Sequence, residues 1–92
     1  RNSLWADGAA IYEDTVKKSP NKADAHYLLG NAYSDAGRVN DALLAWEKAA
    51  ELNPYDAFVH YKLYEAYYSI GDEEGAARHY IIFRSLMKRR QG

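Results

Sequence analysis

The chain of 92 residues has no cysteine, which excludes disulfide bonds, thiolate metal sites and cysteine nucleophiles. Neither sign of charge is in excess, because twelve Lys and Arg stand against thirteen Asp and Glu, giving a net charge of −1. This balance argues against a nucleic-acid-binding domain and against an acidic solvating tail. No apolar run approaches the roughly 20 residues of a membrane-spanning helix, since even the longest, residues 42–46, has only five. We therefore predict neither a nucleic-acid partner nor insertion into a membrane.

Aromatic residues, by contrast, are abundant: nine Tyr, two Trp and two Phe. The composition is 48% hydrophobic and 27% charged, as is ordinary for a folded globular domain. A domain of this size buries only about 60% of its unfolded surface, so the aromatic rings must supply much of a modest core. We predict one soluble domain over residues 1–92, and the sequence leaves its compartment open between cytoplasm and periplasm.

The strongest signal is an internal repeat of 34 residues. When residues 23–56 are shifted onto residues 57–90, nine positions are identical. The identical pairs are Ala23/Ala57, His26/His60, Tyr27/Tyr61, Leu29/Leu63, Ala32/Ala66, Tyr33/Tyr67, Gly37/Gly71, Ala42/Ala76 and Leu52/Leu86. The same shift places Pro20 over Pro54, so we predict a half unit at 1–22, a full unit at 23–56 and a terminal full unit at 57–90.

Each full unit is expected to form two helices, because apolar residues recur at steps of three and four. Gly37 and Gly71 are typical of left-handed helix C-caps, and Asn53-Pro54 ends the second helix of its unit. The predicted helices cover residues 4–18, 23–36, 39–51, 57–70 and 73–90. The fold class is therefore all-α, with five helices in antiparallel pairs.

These residues resemble a known family, the tetratricopeptide repeat. Its signature positions are matched by Leu29-Gly30, Tyr33, Gly37, Ala42, Trp46, Ala49 and Pro54. The resemblance implies a right-handed α-solenoid of about two and a half repeats, a non-enzymatic module whose concave groove binds a peptide or protein segment. The second full unit departs from the pattern at Tyr64, Phe83 and Lys88, which are expected to mark the end of the array.

A second resemblance concerns the beginning of the chain. Arg1-Asn2, Trp5 and the segment 12–23 are similar to the entry of repeat tails in large bacterial membrane proteins related to multi-spanning sugar-transfer enzymes. The chain begins with Arg rather than Met, so we expect it to be part of a longer protein. On this interpretation it is an appended binding domain without transferase chemistry.

The family resemblance implies that the first helix of each pair lines the groove. Mapped onto this sequence, the groove positions are Asp24, Tyr27, Asn31, Ser34, Asp35, Phe58, Tyr61, Glu65, Tyr68 and Ser69. Aromatic side chains on this wall suit a peptide partner, since they give large contact area at low entropic cost. The alternative is that several of these rings only pack between helices.

Some members of the family bind a C-terminal carboxylate through a clamp of Lys, Asn and Arg. Asn31 matches that pattern, but Tyr27 and Tyr61 stand at lysine positions and Glu65 at a cation position. A carboxylate beside Asp35 and Glu65 would be repelled. We therefore expect a basic or aromatic peptide.

The last helix carries apolar residues where the preceding units have charged ones. Its predicted oligomer contact comprises Ile81, Ile82, Phe83 and Leu86. Such a patch indicates either docking onto another molecule, most simply a second copy in a homodimer, or burial against the same domain. The competing function is therefore a structural spacer or homo-oligomerisation element of a larger membrane-associated protein.

The remaining polar residues give no catalytic or metal-binding pattern. No serine lies in a nucleophile motif, so we predict no enzyme and no cofactor. His26 and His60 recur one unit apart and are expected to pack side by side between helices, while His79 is expected on the surface. The basic residues 88–90 complement the helix dipole rather than forming a phosphate-binding face.

Overall fold

The computed structural model describes the backbone of residues 8–91 and the side chains of residues 8–89. Over these residues the chain forms five α-helices and no strand, which confirms the all-α prediction. The helices are α1 (Ala9–Lys18), α2 (Ala23–Asp35), α3 (Val39–Leu52), α4 (Ala57–Ser69) and α5 (Glu73–Gln91). The predicted start of the first helix, at Leu4, lies outside the described residues. The other helix ends fall within one residue of prediction.

Two glycines end the first helix of each pair in the same way. Gly37 and Gly71 have φ of 80° and 86°, the left-handed region that costs glycine no Cβ clash. After α2 the Arg38 amide donates to the Tyr33 carbonyl at 2.8 Å, and after α4 the Asp72 amide donates to the Tyr67 carbonyl at 2.9 Å. This is the Schellman arrangement, and it directs each following helix back along the first.

The helices pack as two hairpins. Contacts are most extensive between α2 and α3 and between α4 and α5, while α1 packs on α2 and α3 on α4. The main core lies between the hairpins, where α3 meets α4. Its buried members are Ala42, Leu43, Trp46, Ala49, Ala50, Val59, Leu63 and Ala66. Successive pairs therefore share one continuous core, as stacked repeats require.

Within the first hairpin, Gly30 lets the helices approach closely. A Cβ at this position would lie 2.4 Å from Trp46 Cδ1 and Nε1. The Trp46 ring is 3% exposed, and its Nε1–H donates to the Tyr27 carbonyl at 3.2 Å. The leucine-glycine signature thus makes room for the tryptophan that fills the hairpin.

Neighbouring units are joined by one polar contact that recurs with the repeat period. The hydroxyl of Tyr33 on α2 donates to Glu13 of α1, and the hydroxyl of Tyr67 on α4 donates to Glu47 of α3. Burial and, to a smaller extent, the glutamate that accepts from its hydroxyl raise the pKa of each tyrosine to about 12. The tyrosine of each unit therefore fixes its register on the unit before.

The structure corrects the expectations for the histidines. His79 is buried, not on the surface, because its ring is enclosed by α4. His60 pairs with His79 rather than with His26. His26 and His60 instead share an interaction: each Nε2 lies close to the proline carbonyl six residues earlier, at 2.8 Å from Pro20 and 2.9 Å from Pro54.

Candidate functional site

A cleft with an apolar floor opens between α2 and α4. Its deeper part is a cavity of about 290 Å³, which we call the socket. The socket is lined by Ser34, Val39, Ala42, Trp46, Lys62, Glu65, Ala66 and Ser69. Because Ala42, Trp46 and Ala66 belong to the buried core, the floor is apolar where the rim is polar. The socket is therefore built by both full units together.

The rim of the socket continues into a smaller polar cavity. This second cavity measures about 240 Å³ and is lined by Asn31, Ser34, Asp35 and Lys62. Asn31 Oδ1 is buried and has no hydrogen-bond partner among the described residues. A buried acceptor without a donor is costly, which distinguishes Asn31 from the other residues of this wall.

Five of the residues predicted for the groove meet in this cleft. Asn31, Ser34 and Asp35 come from α2, and Glu65 and Ser69 come from α4. Tyr27 is half-buried and packs against the main core, with its carbonyl engaged by Trp46. The cleft thus brings together the polar members of the predicted set except Asp24.

The predicted aromatic members lie mostly elsewhere. Tyr61 contacts Phe83 of α5 and Tyr68 contacts Tyr64 on its own helix, so both belong to an aromatic patch with three other rings. The patch consists of Tyr61, Tyr64, Tyr68, Tyr80 and Phe83, whose neighbouring ring centroids are 4.9 to 6.2 Å apart. Phe58 is 57% exposed near the start of α4, where its amide donates to the N-cap carboxylate of Asp56. The nearby Glu65 carboxylate raises the pKa of Tyr61, so Tyr61 adjoins the cleft at its edge.

The residues of the predicted oligomer contact differ in exposure, and one of them, Phe83, packs on Tyr61 of α4. Ile81 is 64% exposed, whereas Ile82, Phe83 and Leu86 are half-buried. An open cavity of about 660 Å³ on α5 is lined by Tyr80, Ile81, Phe83, Arg84, Ser85, Met87 and Lys88. Because α5 continues unbroken to Gln91, it does not fold back over Ile81.

Sequence reasoning missed Lys62 and the socket floor. Lys62 stands one residue after Tyr61 and has no counterpart in the repeat, where Leu28 occupies its place. That break in the pattern was a usable signal. The floor was assigned only to packing, since Ala42 and Trp46 match family positions that fill the hairpin.

Two other kinds of site are not found among the described residues. Among them no group of three or more His, Asp and Glu residues is arranged to hold a metal ion. No helix in the described part of the chain is long and apolar enough to span a bilayer.

The stacked antiparallel hairpins and the cleft between their first helices define the class as an α-helical repeat protein. Residues 23–56 match the family model of the tetratricopeptide repeat. The chain therefore carries a tetratricopeptide repeat at these residues and adopts the all-α fold of that family, a known scaffold for protein interaction.

Solved structures of MamA share this fold. MamA from Desulfovibrio magneticus RS-1 is 26% identical with a TM-score of 0.85, and the match covers 97% of this chain and 52% of that one. A structure of MamA MSR-1 is 21% identical with a TM-score of 0.81, covering 95% of this chain and 52% of that one. The chain thus spans about half the length of these structures. A search of curated proteins found no significant match.

Proposed function

We propose that this chain is a protein-interaction module that binds an extended peptide segment in the cleft between α2 and α4. The supporting observation is the socket, an open apolar cavity whose walls come from both repeat units. Its floor residues belong to the core, so the cavity keeps its shape without a ligand. A preformed site avoids the ordering cost of binding.

The dimensions of the socket favour one apolar anchor side chain. A cavity of about 150 Å³ holds a benzene ring. The socket, at about 290 Å³, therefore accommodates a large aliphatic or aromatic side chain with part of its backbone. An apolar group on Ala42, Trp46 and Ala66 replaces water there without losing hydrogen bonds.

The rim determines which residues flank the anchor. Glu65 and Asp35 provide two carboxylates and Lys62 one ammonium group, leaving the cleft with a small negative excess. Basic residues beside the anchor are favoured, and a C-terminal carboxylate is not. A rotation of the Asn31 side chain would let a peptide amide donate to its Oδ1, which is buried and has no donor among the described residues.

Blocking the socket tests this function. Peptides selected from a randomised phage library on the 92-residue chain are measured by fluorescence anisotropy against Ser69→Trp and Ser85→Trp. Both serines are exposed on helices, but Ser69 lies on the socket rim and Ser85 beside the cavity on α5. We expect Ser69→Trp to weaken binding by at least about tenfold, or ~1.4 kcal/mol, and Ser85→Trp to leave it unchanged. A library without binders, or binders indifferent to Ser69→Trp, contradicts the proposal.

Homo-oligomerisation through α5 is the second candidate, favoured by the exposure of Ile81 beside a large apolar cavity. Two copies would bury Ile81, Phe83 and Met87 against each other. Association should strengthen with salt, because Arg84 and Lys88 give both faces positive charge. Sedimentation equilibrium is expected to show a dimer that the double substitution Ile81→Glu and Ile82→Lys dissociates. A monomer at high protein concentration excludes this candidate.

A further inference from the structure

A buried pair of imidazoles joins the two helices of the second hairpin. His60 on α4 and His79 on α5 are 4% and 6% exposed. Their Nδ1 atoms lie 3.0 Å apart, and their ring centroids are 5.2 Å apart. No part of the proposed peptide cleft uses either ring.

The hydrogen bonds around the pair fix where its protons are. His60 Nε2 lies 2.9 Å from the Pro54 carbonyl, which can only accept, so His60 carries its proton on Nε2. In the neutral ring His60 Nδ1 is then a bare acceptor. His79 must therefore donate from its Nδ1–H to Nδ1 of His60, and its Nε2 is unprotonated.

The bare nitrogen of His79 faces α3. Its Nε2 lies 3.9 Å from Glu47 Oε2, the carboxylate that also accepts from the hydroxyl of Tyr67. The Tyr67 ring stacks on the His79 ring, with the centroids 5.6 Å apart and the ring planes at an angle of 5°. Arg78, on the same helix as His79, is the other charge that acts on the ring. The cluster thus connects α3, α4 and α5.

Protonation affects the two rings differently. One added proton on His79 Nε2 keeps both existing hydrogen bonds and turns the contact with Glu47 into an ion pair. A second proton, on His60 Nδ1, sets two N–H donors and two positive charges against each other across 3.0 Å. The pair therefore holds one extra proton when docked and cannot hold two.

We propose that the His60–His79 pair is a proton-sensitive latch that holds α5 on α4 and α3 at neutral pH and releases it in mildly acidic solution. Burial lowers the pKa of His79 from its ordinary 6.5, with Glu47 opposing the shift. The native state then binds fewer protons than the unfolded chain as the pH falls below 6.5. The contribution of the pair to the free energy of unfolding is therefore fully present above that pH and is lost as the pH falls below it.

The first hairpin provides a matched comparison inside the same molecule. His26 makes the same contact with a proline carbonyl, but Ala45 stands where the second unit has His79. The latch is thus specific to the second hairpin. Substitution of His26 is expected to leave the acid sensitivity in place.

Two measurements test the latch. Long-range ¹⁵N–¹H NMR of the wild-type chain between pH 8 and 4.5 should show a proton on Nε2 of His60 and on Nδ1 of His79 at neutral pH. In urea unfolding, the equilibrium constant for folding of the wild type should fall as the pH is lowered. The fall should be about tenfold per pH unit wherever the unfolded chain binds one proton more than the native chain. His79→Gln should reduce this fall, and His26→Gln should retain it.

Wild-type spectra that place the neutral-pH protons on Nδ1 of His60 and Nε2 of His79 would overturn the proposal. So would two doubly protonated rings in a chain that keeps its native amide spectrum. The spectra need no variant, so they decide the matter even if His79→Gln does not fold. Equal acid sensitivity of wild type and a folded His79→Gln would also overturn it.

Discussion

The contact between Gly30 and Trp46 gives a stability prediction of unusual sign. Glycine within a helix ordinarily costs about 1 kcal/mol relative to alanine, so Gly30→Ala in an open helix would stabilise. Here the new Cβ would lie 2.4 Å from the buried indole, well inside the ~3.5 Å of normal contact. The substitution should instead destabilise the domain.

The magnitude follows from three effects. Overpacking a core costs about 1–3 kcal/mol, and displacing the ring from the Tyr27 carbonyl removes a bond worth about 1 kcal/mol. The helix-propensity gain offsets about 1 kcal/mol. We expect Gly30→Ala to lower the free energy of unfolding by about 1–3 kcal/mol in urea denaturation followed by circular dichroism.

A double-mutant cycle separates the clash from other effects. In a Trp46→Leu background the large ring is gone, so Gly30→Ala should be neutral or stabilising by up to about 1 kcal/mol. If Gly30→Ala stabilises the wild type, or costs the same in both backgrounds, the two helices do not meet at this contact.

Further predictions concern the caps, the core and the tyrosines. Gly37→Ala should cost about 1–2 kcal/mol in the same urea assay, because φ is 80° there, and a cost near zero would contradict the left-handed cap. Leu63→Ala should cost about 2–5 kcal/mol, since Leu63 is fully buried, and a loss below 1 kcal/mol would place it outside the core. Tyr33 and Tyr67 should ionise near pH 12 in an ultraviolet titration. Because their folded pKa exceeds the unfolded value of 10, their contribution to stability is complete below pH 10 and lost as the pH rises through 12; Tyr67→Phe should reduce that loss.

The sequence predicted the helices well because their signals are local. Each signal acts on the backbone nearby: apolar spacing favours a helix, and Gly37, Gly71 and Pro54 end one. The boundaries that the structure describes therefore fall within one residue of prediction. The repeat period also carried information across the chain, since Tyr33 and Tyr67 make equivalent contacts with Glu13 and Glu47.

The candidate site was less predictable because it depends on how side chains meet across helices. Tyr61 and Tyr68 share a helix with Glu65, yet Tyr61 packs on Phe83 of α5 and Tyr68 on Tyr64, while Glu65 borders the socket. His79 was expected on the surface, but its ring is buried against those of His60 and Tyr67. Only the packing of α5 on α4 reveals that the ring has a buried partner.

Isotope-filtered NOE spectroscopy of a selected peptide bound to the chain tests the central proposal most directly. We predict NOEs from one apolar peptide side chain to the Trp46 indole and the Ala66 methyl, with shifted amides at Ser34 and Lys62. NOEs confined to Ile81 and Met87 on α5 would contradict peptide binding between the two repeat units.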